Sequence, residues 1–594
     1  MERTVPPNTL TFLAYNEVKA FFKEKDHQPS SEMYQGLYNL QDTLTRMLSG
    51  DLDEKYYLSS LDPGVGKTSA IKAWLHVYLK RRTQYGDRGV IICFDRLDEI
   101  EQFIRSSAMP EDVYGVLVSG STSRGIRLND MGVGVDSLDS AVVLLTTKQQ
   151  IIKRTRRGRA FGGVSRFYYQ GAPRVVRIWD ESMTVGRSLT LCASQILELV
   201  HTISRVDVGL SLRVQEFALS LGNCSDKAIL SVPDLGGLEL GYNFRWRDST
   251  MRDTAETLAL LSGRVVTVRV DGVGRVALDC VQSLPEDFKP CLVTDASVRI
   301  RETYRLQETY RGDVERLTPV TSCKRYDNLK VFVWHRRTGK QSYRIEGVEE
   351  VAKEVAKVVA ARTREAFLIV VTKENRTKMS GALKRELPSA DYSRLQFLTW
   401  GMHLATNDYV DIPNVVITSQ LYYRPADYEA GARAAATLTT SDGQLSEEVF
   451  QAFRKGETAH HLLQCICRGA VRKAIGNQCP PSRCWIISAR GMKVEEQLPD
   501  IFPGCSVEPW ENAPVAFKEI KLQVLGYILD CLGAGVERIK ASAVRTSAGI
   551  KSVSNFKRDY LTDSRFMALC NDHGVIILHE NSRYFFEMNP FRMQ

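Results

Sequence analysis

The stretch Gly64-Val65-Gly66-Lys67-Thr68 decides how the rest of this chain is interpreted. It lies between a strand-like run, KYYLSSL (55–61), and a helical pattern, SAIKAWLHVYL (69–79). A strand, a glycine turn and a helix N-terminus together form an anion site, because glycines let backbone N–H groups approach a phosphate. We expect Gly64 and Gly66 to form the turn, Lys67 to reach the β- and γ-phosphates, and Thr68 to ligate Mg²⁺. Leu61 stands where the usual phosphate-loop motif has its first glycine.

A second apolar run ends in two acids that suit the same chemistry. The run is Val175-Val176-Arg177-Ile178-Trp179, followed by Asp180 and Glu181. Asp180 is expected to hold Mg²⁺ through water, and Glu181 to polarise the water that attacks the γ-phosphate. Adjacent carboxylates at a strand end are also typical of a helix N-cap, but the phosphate loop upstream favours catalysis. ATP and Mg²⁺ are therefore the predicted cofactors.

Composition is that of a globular protein with a basic surplus. The chain has 594 residues, of which 43% are hydrophobic and 25% are charged, with a net charge of +9. A positive balance favours a polyanionic partner. No apolar run is long enough for a membrane helix, no secretory signal is visible, and the 13 scattered cysteines suit a reducing compartment, so a cytoplasmic location without membrane contact is expected.

Short apolar runs alternate with helical patterns through most of the chain, which is typical of parallel α/β sheets. This alternation predicts two α/β units, at 35–340 and 341–510, after an N-terminal extension at 1–34. Longer helical patterns predict a mainly helical insertion at 190–285, with one short β-like stretch, RVVTVRVDGVGRVAL (264–278). At 511–594, helical patterns followed by two β-rich runs predict a winged-helix domain. Its recognition helix, from Ser552 onward, carries Lys557 and Arg558, which are expected to bind nucleic acid.

Further motifs follow in the order used by superfamily 1 and 2 helicases, and the region of roughly 35–485 resembles superfamily 2 (DEAD/DEAH-like) more closely. The resemblance implies that the two α/β units are RecA-like domains. Gln41 resembles the glutamine that reads adenine. The resemblance implies that Thr146 and Thr147 (motif Ib) and Thr406 and Asn407 (motif V) contact the nucleic-acid backbone. It also implies that Asp295 and Ser297 (motif III), with Gln464 (motif VI), couple the nucleotide site to the bound strand.

Two arginines of the motif VI region are expected to complete the nucleotide site from the second domain. A phosphate-loop lysine alone cannot neutralise the charge that develops on the γ-phosphate. Arg468 and Arg472 lie four residues apart and would share one face of a helix. Arg472 is the first choice for the arginine finger, with Arg468 as its partner. In this chain glycine follows Arg468 instead of preceding it.

Two other clusters have competing interpretations. A basic run at 153–159, which includes Arg156 and Arg157, continues into Phe167 and two tyrosines. Such a run is commonly a solvated loop, but its place between motif Ib and the acidic pair favours contact with phosphates and bases. Four thiols within 20 residues could hold a metal, although their spacing matches no common site: Cys465, Cys467, Cys479 and Cys484.

The sequence therefore predicts a nucleic-acid-dependent ATPase that moves along a strand and separates it from its complement. DNA is favoured over RNA, and a protein partner through the insertion or the winged helix is a further expectation. Two alternatives stay open. One is a duplex translocase that remodels bound proteins without strand separation, and the other is a nucleotide-switched regulator that reads DNA with its winged helix.

Overall fold

The computed structural model describes residues 9–25, 27–156, 158–238, 244–336, 348–401, 408–510 and 517–589. The chain divides into two compact units. The first comprises Met1–Val333 and Thr338–Pro509, and the second comprises Trp334–Arg337 and Trp510–Gln594.

A seven-stranded parallel sheet forms the centre of the first half of the chain. Its strands are almost wholly buried and rich in Val, Ile and Leu, as expected for a sheet covered on both faces. Their spatial order is Val314–Arg316, Tyr56–Leu58, Cys291–Thr294, Val176–Asp180, Val90–Phe94, Val143–Thr147 and Tyr114–Leu117.

A second, six-stranded sheet follows. Its order is Leu395–Thr399, Phe367–Val371, Asn414–Ile417, Ser482–Ser488, Leu329–His335 and Ser506–Pro509. The pairs that join the first four strands are parallel, as is the pair at the Ser506 edge. The strand Leu329–His335 pairs in this sheet although it precedes the predicted boundary at 340. The predicted fold class, with two large parallel sheets, is confirmed.

Helices surround both sheets. The helices of the first unit outside the insertion are Leu10–Glu24, Ser31–Ser49, Lys67–Tyr85, Leu97–Ser107, Ser123–Asn129, Lys148–Arg154, Glu302–Tyr310, Val348–Ala360, Arg376–Glu386, Ser389–Tyr392, Pro425–Ala436, Glu447–Ile466 and Val494–Ile501. The helix Leu10–Glu24 lies in the region predicted as an extension, yet its apolar face is buried in the same core as Trp74 of the helix Lys67–Tyr85.

The insertion leaves the first sheet after the strand Val176–Asp180, and it adds a sheet to the predicted helices. It contains a four-stranded antiparallel sheet in the order Gly186–Cys192, Gly274–Gln282, Val265–Asp271 and Ile229–Ser231. Three helices cover one face of this sheet: Ala193–Ser204, Val208–Asn223 and Ser249–Leu261. The sequence pattern showed only a short β-like stretch here, because the edge strands are short or partly polar.

The insertion also packs on the helix Pro425–Ala436, which follows the second-sheet strand Asn414–Ile417 in the chain. Ala426 and Ala430 of that helix contact Cys192, Val276 and Leu278 of the insertion sheet. Polar contacts surround the apolar ones. The Arg269 guanidinium donates to Glu429 at 2.5 Å, and Thr190 donates to Asp427 at 3.1 Å. The two large sheets are therefore joined in two ways: by the chain that runs from one to the other, and by the contacts of the insertion with this helix.

The second unit combines helices with a small antiparallel sheet. The helices are Phe517–Gly533, Ala541–Ser547, Val553–Phe556, which continues into a π-turn at Lys557–Leu561, and Ser564–Asp572. The strands Val575–Glu580 and Arg583–Met588 form the predicted terminal hairpin, and Arg538–Lys540 pairs with the second of them. Asn581 and Ser582 both have positive φ, which a two-residue hairpin turn requires.

Within the described part of the chain, no helix has both the length and the apolar character needed to cross a membrane.

Candidate nucleotide-binding cleft

The phosphate loop lies between the strand Tyr56–Leu58 and the helix Lys67–Tyr85, as predicted. Gly64 and Gly66 have φ values of 82° and 100°, in the left-handed region that favours glycine. Gly66 is the N-cap of the helix, so the free N–H groups of its first turn face the loop. The Lys67 ammonium donates to the carbonyl oxygens of Leu61 (2.5 Å) and Asp62 (3.2 Å), and burial lowers its pKa.

Both glycines are also required by close contacts. A Cβ at Gly64 would lie 1.9 Å from the carbonyl oxygen of Arg472, which follows the second sheet's helix Glu447–Ile466. A Cβ at Gly66 would lie 2.4 Å from the ring of Phe22. Leu61, which replaces the first glycine of the usual motif, is a core residue that packs on Gly36. The loop is therefore fixed by neighbours on three sides.

Asp180 ends the strand Val176–Asp180, which is separated from the phosphate-loop strand by Cys291–Thr294, and Glu181 follows it. Both acids line the cleft with the loop. Thr294 donates to Asp180 at 2.7 Å. Glu181 has a φ of 62°, a strained conformation for a residue with a side chain and one that is concentrated at functional sites. Burial raises the pKa of Glu181 to about 7, against the opposing effect of Arg468, and Asp180 raises it further. Burial together with Glu181 and Asp180 raises the pKa of Glu99 to about 8.

The two arginines reach this cleft from the second sheet, but not along a helix. The helix ends at Ile466, and both arginines lie in the turns after it. The expectation that they share one helical face is wrong, because the chain turns at Cys467 and Gly469. Arg468 lies 3.8 Å from Glu181 and donates to Gln464 at 3.0 Å. Arg472 has no side-chain ion pair with any described residue.

The cleft has a volume of about 310 Å³. It is lined by residues around the first sheet and by three residues of the helix Glu447–Ile466 and the turns after it, which belong to the second half of the chain. Its lining residues are Pro63, Gly64, Gly66, Lys67, Thr68, Ser69, Lys72, Phe94, Glu99, Gln102, Phe103, Asp180, Glu181, Thr294, Ala296, Gln464, Arg468 and Arg472. Every predicted phosphate-loop, acidic and arginine residue is among them. Thr68 and Asp180 supply the hydroxyl and carboxylate oxygens that Mg²⁺ prefers, so the residues fit a magnesium nucleotide.

The adenine-reading role predicted for Gln41 is not supported. This side chain is fully buried, donates to the carbonyl oxygen of Ala70 at 2.9 Å and does not line the cleft. It fixes the helix Ser31–Ser49 to the phosphate-loop helix. Phe22, which the sequence analysis did not single out, is the aromatic residue that contacts the loop.

Asp62 is a fully buried residue whose carboxylate accepts several hydrogen bonds, and no sequence pattern pointed to it. Its carboxylate accepts hydrogen bonds from the backbone N–H groups of Cys323 (2.8 Å) and Lys324 (3.0 Å) and from the hydroxyls of Ser322 and Tyr326. The Arg299 guanidinium lies 3.3 Å from it. All these donors precede the second sheet's strand Leu329–His335, so the phosphate loop holds the segment that leads into the second domain.

Lys324 extends this connection to the arginines. Its ammonium is buried and donates to the carbonyl oxygens of Pro63 (3.1 Å), Val471 (2.8 Å) and Arg472 (3.1 Å). Burial lowers the pKa of Lys324, and the nearby Asp62 carboxylate opposes that shift. One side chain thus holds the phosphate loop and the arginine turn at a fixed separation. No periodicity marks a buried lysine, so sequence patterns gave no signal for it.

The motif III residues form a hydrogen-bonded chain between the sheets. Asp295 accepts hydrogen bonds from the hydroxyls of Ser297 and Tyr304, each at 2.7 Å, and Tyr304 in turn accepts one from the N–H of Met183. The Ser297 hydroxyl lies 2.8 Å from Nδ1 of His460, on the helix Glu447–Ile466.

A buried ion pair runs parallel to this chain. The Arg301 guanidinium donates to both oxygens of Glu457 at 2.6 and 3.0 Å. Although burial opposes ionisation, Arg301 holds the pKa of Glu457 at about 2. Hydrogen bonds and an ion pair therefore connect Asp295, Ser297 and Arg301 to the helix Glu447–Ile466.

The predicted nucleic-acid contacts have different surroundings. Thr146 is fully buried and donates to the carbonyl oxygen of Leu117, so its hydroxyl is not available at the surface. Thr147 is the N-cap of the helix Lys148–Arg154 and is 8% exposed. Arg156 is exposed and pairs with Glu256 at 3.1 Å. Arg157, Thr406 and Asn407 lie outside the described residues.

The clustered thiols are buried, and burial raises the pKa of Cys465, Cys467, Cys479 and Cys484. Among the described residues, no group of three or more His, Cys, Asp or Glu side chains is arranged to hold a metal ion.

Comparison with known proteins gives structural similarity only. No protein family matches the sequence, and no curated protein is similar to it. Among solved structures, the chain is similar to XPD (15% identity, TM-score 0.46, covering 79% of this chain and 99% of that one). It is also similar to S. cerevisiae Dbp5 bound to RNA and ADP BeF3 (12%, 0.34, 83% and 96%) and to the E. coli DEAH/RHA helicase HrpB (11%, 0.35, 82% and 46%). These similarities concern the fold alone.

We expect Lys324→Met to slow nucleotide hydrolysis at least about tenfold while nucleotide affinity changes little. The ammonium does not line the cleft, but its loss leaves buried carbonyls unpaired and frees the arginine turn to move away from the phosphate loop. Steady-state phosphate release and the binding of a fluorescent ATP analogue would separate the two effects. Lys330→Met, at an exposed position nearby, is the matched control. Equal hydrolysis rates in the two variants would contradict the positioning role of Lys324.

Proposed function

We propose that this chain is a nucleic-acid-dependent ATPase of the helicase type. The observation that carries the proposal is the composition of the cleft. A lysine and a threonine at a helix N-terminus, two strand-end acids, and two arginines from the other large sheet line one volume of about 310 Å³. This combination suits the transfer of a γ-phosphoryl group to water, because cations lie on both sides of the position where negative charge develops.

In this proposal each residue has a separate task. The N–H groups of the first helical turn and Lys67 bind the β- and γ-phosphates, and Thr68 with Asp180 holds the magnesium ion that neutralises them. Glu181 orients the attacking water, and its proximity to Arg468 favours the ionised carboxylate that this task needs. Arg472, which has no ion-pair partner among the described residues, is free to contact the γ-phosphate.

Hydrolysis at a boundary between two sheets is suited to producing movement. The arginines contact a γ-phosphate only while both sheets are close, so cleavage and release of phosphate remove an attraction between them. The chains of contacts through Ser297–His460 and Arg301–Glu457 would transmit that change. We propose that the result is stepwise movement along a nucleic-acid strand. Strand displacement assays with tailed and blunt DNA and RNA duplexes distinguish strand separation from duplex remodelling.

Lys67→Ala should abolish ATP hydrolysis, by about 100-fold or more, and leave the protein folded. The substitution removes the charge at the β- and γ-phosphates and only two hydrogen bonds to loop carbonyls. Phosphate release and thermal unfolding would be measured for this variant and for Lys80→Ala, an exposed lysine on the same helix.

Glu181→Gln provides the complementary measurement. It should keep nucleotide binding and lose hydrolysis, because the amide preserves the shape of the side chain but cannot accept a proton from water. Hydrolysis at the wild-type rate in Lys67→Ala would refute the proposal, and loss of binding in Glu181→Gln would show that Glu181 has a structural role.

The second unit is proposed to be a winged-helix module that binds nucleic acid. Lys557 and Arg558 are exposed at its π-turn, but Arg558 donates to Asp559 through two nitrogens at 2.7 and 2.8 Å. Lys557→Ala should therefore lower the slope of log K against log salt by about 0.7 to 0.9, the value for one lost phosphate contact. Lys540→Ala, an exposed control on the strand Arg538–Lys540, should leave the slope unchanged. If both variants keep the wild-type slope, Lys557 does not contact phosphate.

A further inference from the structure

A large cavity is bordered by the helix Lys148–Arg154, by the loop that follows this helix and by the insertion. It shares no lining residue with the nucleotide cleft. Its volume is about 1130 Å³, above the usual range for a drug-sized ligand. One wall is apolar and aromatic. Phe244 and Trp246 contribute tilted rings whose centroids are 5.2 Å apart, and Leu238 and Leu260 extend this surface.

Another part of the lining is basic. Lys153, Arg156, Arg187 and Arg252 all border the cavity. Arg156 pairs with Glu256, whereas none of the other three has an ion-pair or hydrogen-bond partner for its side-chain charge among the described residues. Burial lowers the pKa of Arg187 and the nearby charge of Arg156 lowers it further, while Glu256 and Asp253 oppose this shift. A bound anion would relieve the repulsion between Arg156 and Arg187.

Three acids line the cavity, and each has a partner within the protein. Glu256 pairs with Arg156 at 3.1 Å. Glu286 is paired with Lys289 (2.6 Å) and Arg311 (3.1 Å). Asp287 accepts hydrogen bonds from the N–H groups of Phe161 and Gly162. All three carboxylates therefore have partners within the protein. The same cavity is lined by two guanidinium groups without an ion pair among the described residues, Arg187 and Arg252, and by aromatic rings, which is the combination that binds phosphates and stacks bases.

The helix Lys148–Arg154 connects the cavity to the acids of the cleft. Ile152 and Lys153, near its C-terminus, line the cavity. At its N-terminus, the buried Lys148 ammonium donates to Asp95 (2.8 Å) and to the carbonyl oxygen of Ser182 (3.1 Å), the residue after Glu181. A ligand in the cavity thus contacts the same seven-residue helix that supports the end of the acidic strand.

We propose that this cavity is a second nucleic-acid site, which binds nucleotide units of a single strand with bases against Phe244 and Trp246 and phosphates on Arg187 and Arg252. The proposal rests on the proposed function, since it gives the strand-tracking ATPase an additional contact in its insertion. A free mononucleotide offers the same chemistry, so the experiment must distinguish the two sources.

The test uses the full chain and binding of a 20-nucleotide single strand, measured by fluorescence anisotropy over a range of salt concentrations. Arg187→Ala and Arg252→Ala should each weaken binding about fivefold or more and lower the salt slope by about 0.7, the single-strand value for one contact. Arg205→Ala, exposed on the insertion, is the control and should match the wild type. Unchanged affinity and slope in both cavity variants would overturn the proposal.

Two further measurements locate the base and the source of the ligand. The strand should quench tryptophan fluorescence in the wild type and less in Trp246→Phe, which retains an aromatic ring. Thymidine monophosphate should produce little quenching at concentrations where the strand saturates. Quenching by the mononucleotide at the same concentrations, lost in Arg187→Ala, would overturn the strand assignment in favour of a small-molecule site.

Failure of this proposal is distinguishable from failure of the proposed function. Binding of a fluorescent ATP analogue and hydrolysis without any strand report on the cleft alone, and the cavity variants should leave both unchanged. If the wild type neither binds nor hydrolyses ATP, the proposed function fails whatever the cavity binds.

Discussion

The buried carboxylate of Asp62 holds the two halves of the nucleotide cleft together. A fully buried charge is costly unless it is paired and hydrogen-bonded. Here two chain segments supply the compensation: Arg299, and the stretch 322–326 with the N–H groups of Cys323 and Lys324 and the hydroxyls of Ser322 and Tyr326. Because Asp62 belongs to the phosphate loop, these contacts fix the loop relative to the segment that enters the second sheet. Lys324 then carries the constraint to the carbonyls of the arginine turn.

The close approach at Gly64 follows from this arrangement. The Arg472 carbonyl oxygen occupies the position where a Cβ would otherwise lie, so only glycine allows the arginine turn to come this near. The same closeness places Arg468 beside Glu181 and leaves the Arg472 side chain facing the cleft. The positions of Arg468 and Arg472 therefore depend on backbone contacts as much as on the arginines themselves.

Features that are local in sequence were predicted well. The phosphate loop and the strand-end acids each occupy a few consecutive residues between a strand and a helix, so their pattern determines their geometry. The parallel sheets also follow from buried apolar runs. Arg468 and Arg472 were placed in the cleft correctly, although a helix was expected where the chain turns after Ile466. The alternation of strands did not show which sheet takes the strand Leu329–His335, because pairing is decided by tertiary contacts.

Features that join distant segments could not be predicted. Asp62 and the N–H of Lys324 are 262 residues apart, and neither residue type is expected in a core. Gln41 illustrates the opposite error: a glutamine on an amphipathic helix has the same pattern whether it faces a ligand or, as here, a carbonyl inside the protein. In the insertion, the β-like stretch covers most of the two central strands Val265–Asp271 and Gly274–Gln282, whereas the edge strand Ile229–Ser231 has only three residues and gave no pattern.

The most direct test of the account is phosphate release by the wild-type protein in the presence of ATP and Mg²⁺, with and without single-stranded DNA or RNA. The account predicts hydrolysis that requires Mg²⁺ and increases several-fold when a strand is added. Absence of hydrolysis under both conditions, together with absence of nucleotide binding, would contradict the central claim that residues from the two sheets form one ATP-hydrolysing site.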